Sequence, residues 1–337
     1  MDKKKIFIAL PNNKERETFF TEKVLNYIEN ITNVEFLFNP TKDYIDHDKY
    51  KYLENMDGLI LGWGCGKYPS EILNRFPKLK IVGVLGGALS PYIDLDFFSM
   101  DKILINSADV MAQSVAEATL AYMLTALRDI SYYDYSMKHL KPWRSNDFEN
   151  QGLFYKTIGL IGLGAVGKYL LEMLKPFNVK VLIYDPYLDF STLNYNNVEK
   201  KSLDEVLINS DIISIHAAYT EETHYLVDYE KIKLMKKNAL LVNTARGPII
   251  NEKDLIKALE EKHIKAALDV FEQEPLEDTS PLRKLDNVVL IPHMGGPTVD
   301  VRQYMTLSLI DNMIDFFNNK QISNIITENR FKITSLA

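Results

Sequence analysis

Sulfur chemistry is almost absent from this sequence. Cys65 is the only cysteine among 337 residues, so the chain can form neither an intramolecular disulfide nor a cluster of thiolate metal ligands. The segment around it, G-W-G-C-G-K, supplies no base that would activate the thiol, and we interpret Cys65 as a structural residue. The six histidines lack any H-x-x-x-H spacing, so the sequence predicts no bound metal.

An excess of positive charge and a long apolar run are also lacking. The 39 Lys and Arg residues against 46 Asp and Glu give a net charge of −7, which argues against nucleic acid or an anionic membrane as partner. No run approaches the roughly 18 apolar residues that a membrane helix needs. The apolar stretch at residues 6–10 stops at Pro11 and is too short for a signal peptide. We therefore predict a cytoplasmic protein.

The segment with the clearest chemical meaning is T-I-G-L-I-G-L-G-A-V-G, residues 157–167. An apolar run precedes its glycines and a helical pattern follows them. Gly162 permits a tight turn, Gly164 lets the backbone approach a pyrophosphate, and Gly167 lets the helix pack close to the strand. A glycine-rich loop between packed elements is the alternative for the motif alone, but the strand before it and the helix after it indicate a dinucleotide-binding βαβ unit.

The acid that completes such a unit is Asp185. It ends a second apolar run, residues 181–184, eighteen residues after the last glycine of the motif. A carboxylate there accepts hydrogen bonds from the adenosine ribose hydroxyls, whereas it would repel a 2′-phosphate. No Lys or Arg occurs from residue 186 to 199 to bind such a phosphate. The sequence therefore favours NAD over NADP.

The pattern along the chain predicts an α/β fold with two doubly wound parallel-sheet domains. About five apolar strands alternate with amphipathic segments in the first domain, which we expect to be flavodoxin-like, and six strands form a Rossmann domain around the glycine motif. We place the substrate domain at residues 1–108 and 298–337, and the NAD-binding domain at residues 109–297. The predicted strands are 5–10, 34–38, 58–62, 79–85 and 103–106, then 157–161, 180–184, 212–215, 239–243, 265–268 and 288–291; the predicted helices include 16–30, 111–140 and 302–317.

Three segments follow late strands, where a doubly wound sheet binds its ligands. They are V-N-T-A-R-G-P with Arg246, A-L-D-V-F-E-Q-E-P with Asp269, Glu272 and Glu274, and I-P-H-M-G-G-P with His293. An arginine fork grips a carboxylate, a histidine exchanges the proton that accompanies hydride transfer, and a neighbouring carboxylate orients the imidazole and stabilises its protonated form. Each residue alone has a structural alternative: an ion pair, a solvated loop residue or a strand-end histidine. Together they indicate binding and reduction of a 2-oxo acid.

In this order and spacing, G-L-G-A-V-G, Y-D-P, V-N-T-A-R-G, A-L-D-V-F-E-Q-E-P and P-H-M-G-G closely resemble the D-isomer-specific 2-hydroxyacid dehydrogenases. The likeness covers residues 114–298 and continues more weakly through both ends. It implies that Arg246 anchors the substrate carboxylate, that His293 is the acid/base, and that Glu274 is its partner. It also implies cofactor contacts at Gly162, Gly164, Ala165, Val166, Gly167, Asp185, Ala217, Thr244, Ala245, Arg246, Asp269, His293, Gly295 and Gly296.

The same resemblance extends to the substrate loop and to assembly. It implies that backbone N–H groups at Gly87, Ala88 and Leu89 hold the substrate carboxylate, although here the loop reads G-G-A-L-S-P-Y-I-D, without the usual glycine. The S-V-A-E segment at residues 114–117 matches the start of an arm that builds a homodimer, with Trp143 at the place of the arm's tryptophan. Where the family has H-x-P, this chain has H-A-A with Ala218, and we interpret the preceding His216 as structural or as packing near the cofactor.

The function that these residues predict is NAD-dependent interconversion of a small 2-oxo acid and its D-2-hydroxy acid. One alternative is an NAD(H)-sensing protein on the same scaffold, because a fold does not fix a function. Another is phosphoglycerate oxidation, which calls for more basic residues than the Lys67 that the loops of the first domain supply. Trp63, Tyr68 and Tyr92 on those loops suggest either an apolar substrate or simply core packing.

Overall fold

The structure is a computed structural model that describes residues 3–42, 49–140, 143, 150–193 and 195–334. Contacts divide the chain into two compact units, Met1–Met111 with Pro297–Ala337, and Ala112–Gly296. The α-helices are α1 (Lys14–Phe19), α2 (Glu22–Glu29), α3 (Ser70–Leu73), α4 (Ala108–Leu127), α5 (Ile130–Tyr135), α6 (Ala165–Leu174), α7 (Leu203–Asn209), α8 (Tyr229–Leu234), α9 (Glu252–Glu260), α10 (Arg302–Phe317) and α11 (Glu328–Thr334). Short 3₁₀ turns lie at Lys49–Leu53, Leu95–Ser99, Lys175–Phe177, Phe190–Thr192, Gly247–Ile249 and Pro281–Lys284, and a π turn at Ser136–Leu140.

A parallel sheet forms the centre of the first unit. Its strands are β1 (Lys4–Ile8), β2 (Val34–Phe38), β3 (Gly58–Leu61), β4 (Ile81–Val84) and β5 (Ile103–Asn106). The order is β2-β1-β3-β4-β5, the flavodoxin-like order, which confirms the predicted fold of this part of the chain. Strands β3 and β4 are buried along their whole length, because apolar clusters cover both faces of the sheet.

A second parallel sheet forms the centre of the second unit. Its strands are β6 (Thr157–Ile161), β7 (Lys180–Tyr184), β8 (Val198–Lys200), β9 (Ile212–Ile215), β10 (Leu240–Asn243), β11 (Lys265–Leu268) and β12 (Val288–Leu290). Their order, β12-β11-β10-β9-β6-β7-β8, contains the Rossmann arrangement, with the strand order reversing beside β6. The fold is therefore the predicted α/β class, and the six predicted strands are present. The prediction omitted β8, a three-residue edge strand.

Two long helices of the sequence prediction are broken in the structure. The segment 16–30 forms α1 and α2, with the extended Thr21 between them as the N-cap of α2. The segment 111–140 is not one helix, because α4 ends at Leu127 and Asp129 adopts a positive φ of 52° before α5 begins. A left-handed residue redirects the chain, since it cannot continue a right-handed helix.

Helix α4 is relevant to the prediction that no run is long and apolar enough for a membrane helix. By length and composition alone it is apolar enough to cross one. Its polar side chains are nevertheless used within the second unit. Thr119 is fully buried, and its Oγ1 lies 2.9 Å from Oγ1 of Thr244. Such internal hydrogen bonding is typical of a core helix in a globular protein.

Candidate active site

The predicted functional residues of the second unit lie in loops that leave one edge of its sheet. Gly162 follows β6, Asp185 follows β7, Arg246 follows β10, Asp269 follows β11 and His293 follows β12. All strands are parallel, so these loops start from the carboxyl ends of neighbouring strands. The sheet order brings to one edge residues that are more than 100 positions apart in sequence. This edge is where a doubly wound sheet binds its ligands.

Two glycines of the loop lie where a Cβ would come close to other atoms, and the third lies beside open space. Gly162 has a φ of +88°, and a Cβ there would lie 2.7 Å from the backbone nitrogen of Ala217. At Gly167 a Cβ would lie 3.2 Å from the carbonyl oxygen of Gly162. A Cβ at Gly164 would have no atom of the described residues within 4 Å. The open space at Gly164 fits a ligand that approaches the backbone, as a dinucleotide pyrophosphate does.

The helix after this loop begins without a side-chain cap. The N-cap of α6 is Gly164, which has no side chain to cap the helix. The first N–H groups of the helix, which begins at Ala165 and Val166, can therefore bind an anion. Asp185 is fixed beside the loop: its Oδ2 accepts from the backbone N–H of Leu163 and its Oδ1 from that of Tyr187, each at 2.9 Å. These residues fit the phosphates and the ribose of a dinucleotide.

His293 and Glu274 form a hydrogen-bonded pair in the site. Nδ1 of His293 lies 2.6 Å from Oε2 of Glu274, and Oε1 of Glu274 accepts from the backbone N–H of Phe271 at 3.1 Å. The Nε2 atom of His293 has no hydrogen-bond partner among the described residues. The imidazole side chain is 52% exposed, so that nitrogen can reach a bound molecule. A histidine oriented by a carboxylate, with its second nitrogen free, can carry a proton.

Asp269 holds the loop that carries His293. Its carboxylate accepts from the backbone N–H groups of Met294 at 2.7 Å and Gly295 at 2.9 Å, and its carbonyl oxygen accepts from the N–H of His293 at 2.9 Å. Burial raises the pKa of Asp269, while the hydrogen bonds from Met294 and Gly295 oppose that change. A Cβ at Gly295 would lie 2.6 Å from Oδ2 of Asp269, so glycine is needed for this close contact.

Arg246 lies in a turn that a buried asparagine fixes. Nδ2 of Asn243 donates to the carbonyl oxygen of Arg246 at 2.9 Å, and its Oδ1 accepts from the N–H of Ala245 at 3.0 Å. Burial lowers the pKa of the Arg246 guanidinium, and the nearby Glu274 carboxylate acts in the opposite direction. A Cβ at Gly247 would lie 1.9 Å from the carbonyl oxygen of Phe271, so the arginine loop packs directly on the loop that leads to Glu274.

His216 is unsuited to carry a proton at neutral pH. Its Nε2 lies 2.9 Å from Oγ of Ser214, and its Cβ is 3.9 Å from where a Cβ on Gly167 would be. Burial lowers the pKa of His216 to about 4, so its ring is neutral through the physiological range. The structure thus places His216 against the glycine loop, next to Ala217.

In the first unit, the loop after β4 contains the predicted substrate residues. Leu89 is fully buried in the core of this unit. Within the described part of the chain, the N–H groups of Gly87, Ala88 and Leu89 have no backbone acceptor. Tyr68 and Tyr92 are buried in the core of the first unit, which favours the core-packing interpretation of these two residues.

Four residues of this arrangement were not among the sequence-predicted site residues. Thr119 and Tyr122 lie on α4; Thr119 contacts Thr244, and the Tyr122 hydroxyl lies 3.4 Å from Oδ1 of Asp269. Burial, aided by Asp269, raises the pKa of Tyr122 to about 12. The other two are Asn243 and Gly247, described above. Thr119 and Tyr122 are three residues apart on α4, a spacing that indicates a shared helix face, but the sequence does not reveal which strands that face contacts.

The second unit matches a protein-family model. Residues 120–295 match the model described as the NAD-binding domain of D-isomer-specific 2-hydroxyacid dehydrogenases. The match includes the glycine loop, Asp185, Arg246, Glu274 and His293. The cofactor of this domain is therefore NAD.

Several known proteins that are similar to this chain in sequence or structure are dehydrogenases or reductases. A glyoxylate reductase of Thermofilum pendens is 36% identical over 80% of this chain and 81% of its own length. A D-3-phosphoglycerate dehydrogenase of Methanocaldococcus jannaschii is 34% identical over 84% of this chain, but the chain spans only 53% of that longer protein. The structure of a D-2-hydroxyisocaproate dehydrogenase superposes with a TM-score of 0.82, covering 96% of this chain and 99% of the other at 20% identity, which supports the fold.

Proposed function

The chain belongs to the D-isomer-specific 2-hydroxyacid dehydrogenase family, and from that premise we propose that it reduces a small 2-oxo acid to the D-2-hydroxy acid with NADH, and catalyses the reverse oxidation with NAD. The observation that carries this proposal is the pair His293 and Glu274, 2.6 Å apart, at the same sheet edge as Arg246 and the glycine loop. An NAD sensor needs the dinucleotide residues only, and has no use for this pair.

The chemistry divides among three side chains. NADH, when bound, supplies the hydride that reduces the carbonyl carbon. Arg246 binds the substrate carboxylate through its planar fork, which orients the adjacent carbonyl. His293, oriented through Nδ1 by Glu274, donates the Nε2 proton to the carbonyl oxygen as it gains negative charge. In the oxidation direction the same nitrogen removes the hydroxyl proton.

A turnover screen tests the proposal. We expect oxidation of NADH with at least one acid in a panel of glyoxylate, pyruvate, hydroxypyruvate, 4-methyl-2-oxopentanoate, phenylpyruvate and 3-phosphohydroxypyruvate, and a D-configured product by chiral chromatography wherever the product is chiral. Preference for the phosphorylated acid would support the phosphoglycerate alternative. Tight binding of NADH with no acid reduced would contradict the enzyme and favour the sensor.

The same premise supports roles for the two parts of the chain. Residues 1–108 and 298–337 form the substrate domain, in which the backbone N–H groups of Gly87, Ala88 and Leu89 bind the substrate carboxylate. Residues 109–297 form the NAD-binding domain. The net charge of −7 and the internal hydrogen bonds of α4 support a cytoplasmic protein without nucleic-acid or membrane partners.

A homodimer is the assembly that the arm supports. Large apolar side chains are exposed along α5 and the turn after it, including Ile130 at 51%, Tyr135 at 56% and Leu140 at 55%. Contiguous exposed apolar surface of this kind marks an interface. We expect twice the mass of one chain by light scattering at micromolar concentration, and a monomer in the double variant Ile130→Asp/Leu140→Asp. A monomeric unmodified protein would contradict the dimer.

The role of Glu274 predicts a change in the pH profile. In Glu274→Gln the protonated imidazole loses the negative charge 2.6 Å away, while a hydrogen-bonding side chain remains. We therefore expect 2-oxo acid reduction to fail at a lower pH than in the unmodified enzyme, measured as kcat/KM from pH 5 to 10. Glu277→Gln is the control, since that neighbouring carboxylate is not part of the proposed site. An unshifted profile would mean that Glu274 does not act through His293.

A further inference from the structure

A cavity beside Asp185 is lined by basic side chains that do not belong to the segment directly after Asp185. It has a volume of about 360 Å³ and lies at the end of β7 and β8. Two of its residues are basic, Lys200 and Lys201, although residues 186–199 contain no Lys or Arg. The residues that line it are Tyr184, Asp185, Pro186, Lys200, Lys201, Ser202 and Glu205.

Pairing between β7 and β8 fixes the two lysines at this position. Lys200 is opposite Ile183 in the parallel register, and the backbone N–H of Lys201 donates to the carbonyl oxygen of Ile183 at 2.9 Å. Lys201 therefore leaves the carboxyl end of β8, as Asp185 leaves the carboxyl end of β7. The edge strand β8 thus carries basic side chains to the position where a dinucleotide has its adenosine ribose.

The ammonium group of Lys201 is held only weakly. Its Nζ lies 3.7 Å from a carboxylate oxygen of Glu199 and 3.8 Å from one of Glu205. Both glutamates have shorter contacts elsewhere: Glu199 with Lys180 at 2.8 Å, and Glu205 with the Ser202 hydroxyl at 2.7 Å. Solvent-exposed ion pairs of this length contribute little, so Lys201 can turn to another anion at small cost.

Asp185, in contrast, cannot move away. Two backbone N–H groups hold its carboxylate, those of Leu163 and Tyr187. A 2′-phosphate carries close to two negative charges, and beside this fixed carboxylate it would be repelled. The cavity therefore combines lysines that attract a phosphate with carboxylates that repel it: Asp185, and Glu205, which Ser202 holds.

Building on the proposed NAD dependence, we propose that Lys201, assisted by Lys200, forms a ready-made binding site for an adenosine 2′-phosphate, and that the fixed carboxylate of Asp185 keeps NADP out of it. Cofactor choice in this chain is then set by the Asp185 carboxylate, and not by a lack of basic residues. No added arginine is needed to convert the enzyme to NADPH.

Binding of nucleotides tests the proposal without reference to turnover. The measurements are dissociation constants of NADH and NADPH by fluorescence, and of 5′-AMP and adenosine 2′,5′-bisphosphate by competition. In the unmodified protein we expect NADPH to bind at least about tenfold more weakly than NADH. Asp185→Asn removes the charge and keeps an oxygen for a backbone N–H, and we expect it to strengthen NADPH and bisphosphate binding about tenfold or more.

The double variant Asp185→Asn/Lys201→Ala separates this site from a general charge effect. We expect it to lose most of that gain, while Asp185→Asn/Lys237→Ala keeps it. Lys237 is the matched control because its replacement changes the net charge equally, and because it precedes β10, at the amino-terminal ends of the strands. Equal NADPH affinity in the two double variants would overturn the proposal. If Asp185→Asn does not fold, the single variant Lys201→Ala is compared with the unmodified protein. We then expect Lys201→Ala to bind adenosine 2′,5′-bisphosphate more weakly and 5′-AMP equally well. Equal bisphosphate affinity in the two proteins would overturn the proposal. Failure of the unmodified protein to bind NADH would instead overturn NAD dependence itself.

Discussion

Replacing His293 by glutamine is expected to lower turnover of the best 2-oxo acid by roughly 10²- to 10⁴-fold, the range in which a positioned acid/base contributes to catalysis. Glutamine retains a side-chain group that can hydrogen-bond to Glu274, but it cannot donate the proton that the reduced carbonyl oxygen requires. The backbone of residue 293 keeps its hydrogen bond to the carbonyl oxygen of Asp269, so the loop should persist.

The His293→Gln experiment is read from two measurements on the same preparation. Single-turnover oxidation of NADH reports the chemical step, and NADH fluorescence titration reports cofactor affinity, which we expect to change less than about threefold. His263→Gln is the matched control, because His263 precedes β11 at the opposite edge of the sheet. Near-normal single-turnover rates in His293→Gln would show that another group supplies the proton; with its pKa near 4, His216 could not be that group.

The sequence predicted the sheets of both units well, because their strands are buried on both faces. A strand such as β9 or β10 is apolar throughout and is bounded by turns, and such runs can be recognised without knowledge of their neighbours. The edge strand β8 reads V-E-K and is mostly exposed, so it has neither an apolar run nor alternation. It exists because its backbone pairs with β7, and that is a tertiary contact.

The same distinction explains the helices. The break after α4 occurs at Asp129, which has a positive φ. Aspartate tolerates a positive φ but is also common where φ is negative, so its presence does not predict a break. Asp129 interrupts neither the apolar pattern nor the charge pattern. The sequence motifs placed Arg246, Glu274 and His293 after late strands, and the sheet order then brought those loops together. The groups that hold them, such as Asn243, act through backbone atoms that the sequence does not pair.

Cofactor selectivity depends on a strand that the sequence pattern does not reveal. Residues 186–199, the segment directly after Asp185, contain no Lys or Arg. In the fold, the next strand of the sheet carries Lys200 and Lys201 to the same cavity. Predicting this from sequence would have required the strand that was missed.

Replacing Arg246 by lysine is expected to lower kcat/KM for the 2-oxo acid by roughly 10- to 100-fold. That range corresponds to the loss of one charge-assisted hydrogen bond, at about 1.4 kcal/mol for each factor of ten. Lysine keeps the positive charge but offers a single ammonium in place of the planar fork that grips both oxygens of a carboxylate. The buried turn should survive, because Asn243 binds the backbone of residue 246 and not its side chain.

The pattern of constants, more than their size, identifies the role of Arg246. A carboxylate anchor predicts that the substrate KM rises in Arg246→Lys while the NADH dissociation constant stays within about twofold, and that a 2-oxo amide, which lacks the carboxylate, is used equally poorly by both proteins. Arg128→Lys is the control, since Arg128 is exposed just after α4. If Arg246→Lys weakens NADH as much as it weakens the 2-oxo acid, Arg246 supports the cofactor rather than the substrate. Burial lowers the pKa of this guanidinium and the nearby Glu274 carboxylate opposes that change, and the side chain would then serve to hold the nucleotide loops together.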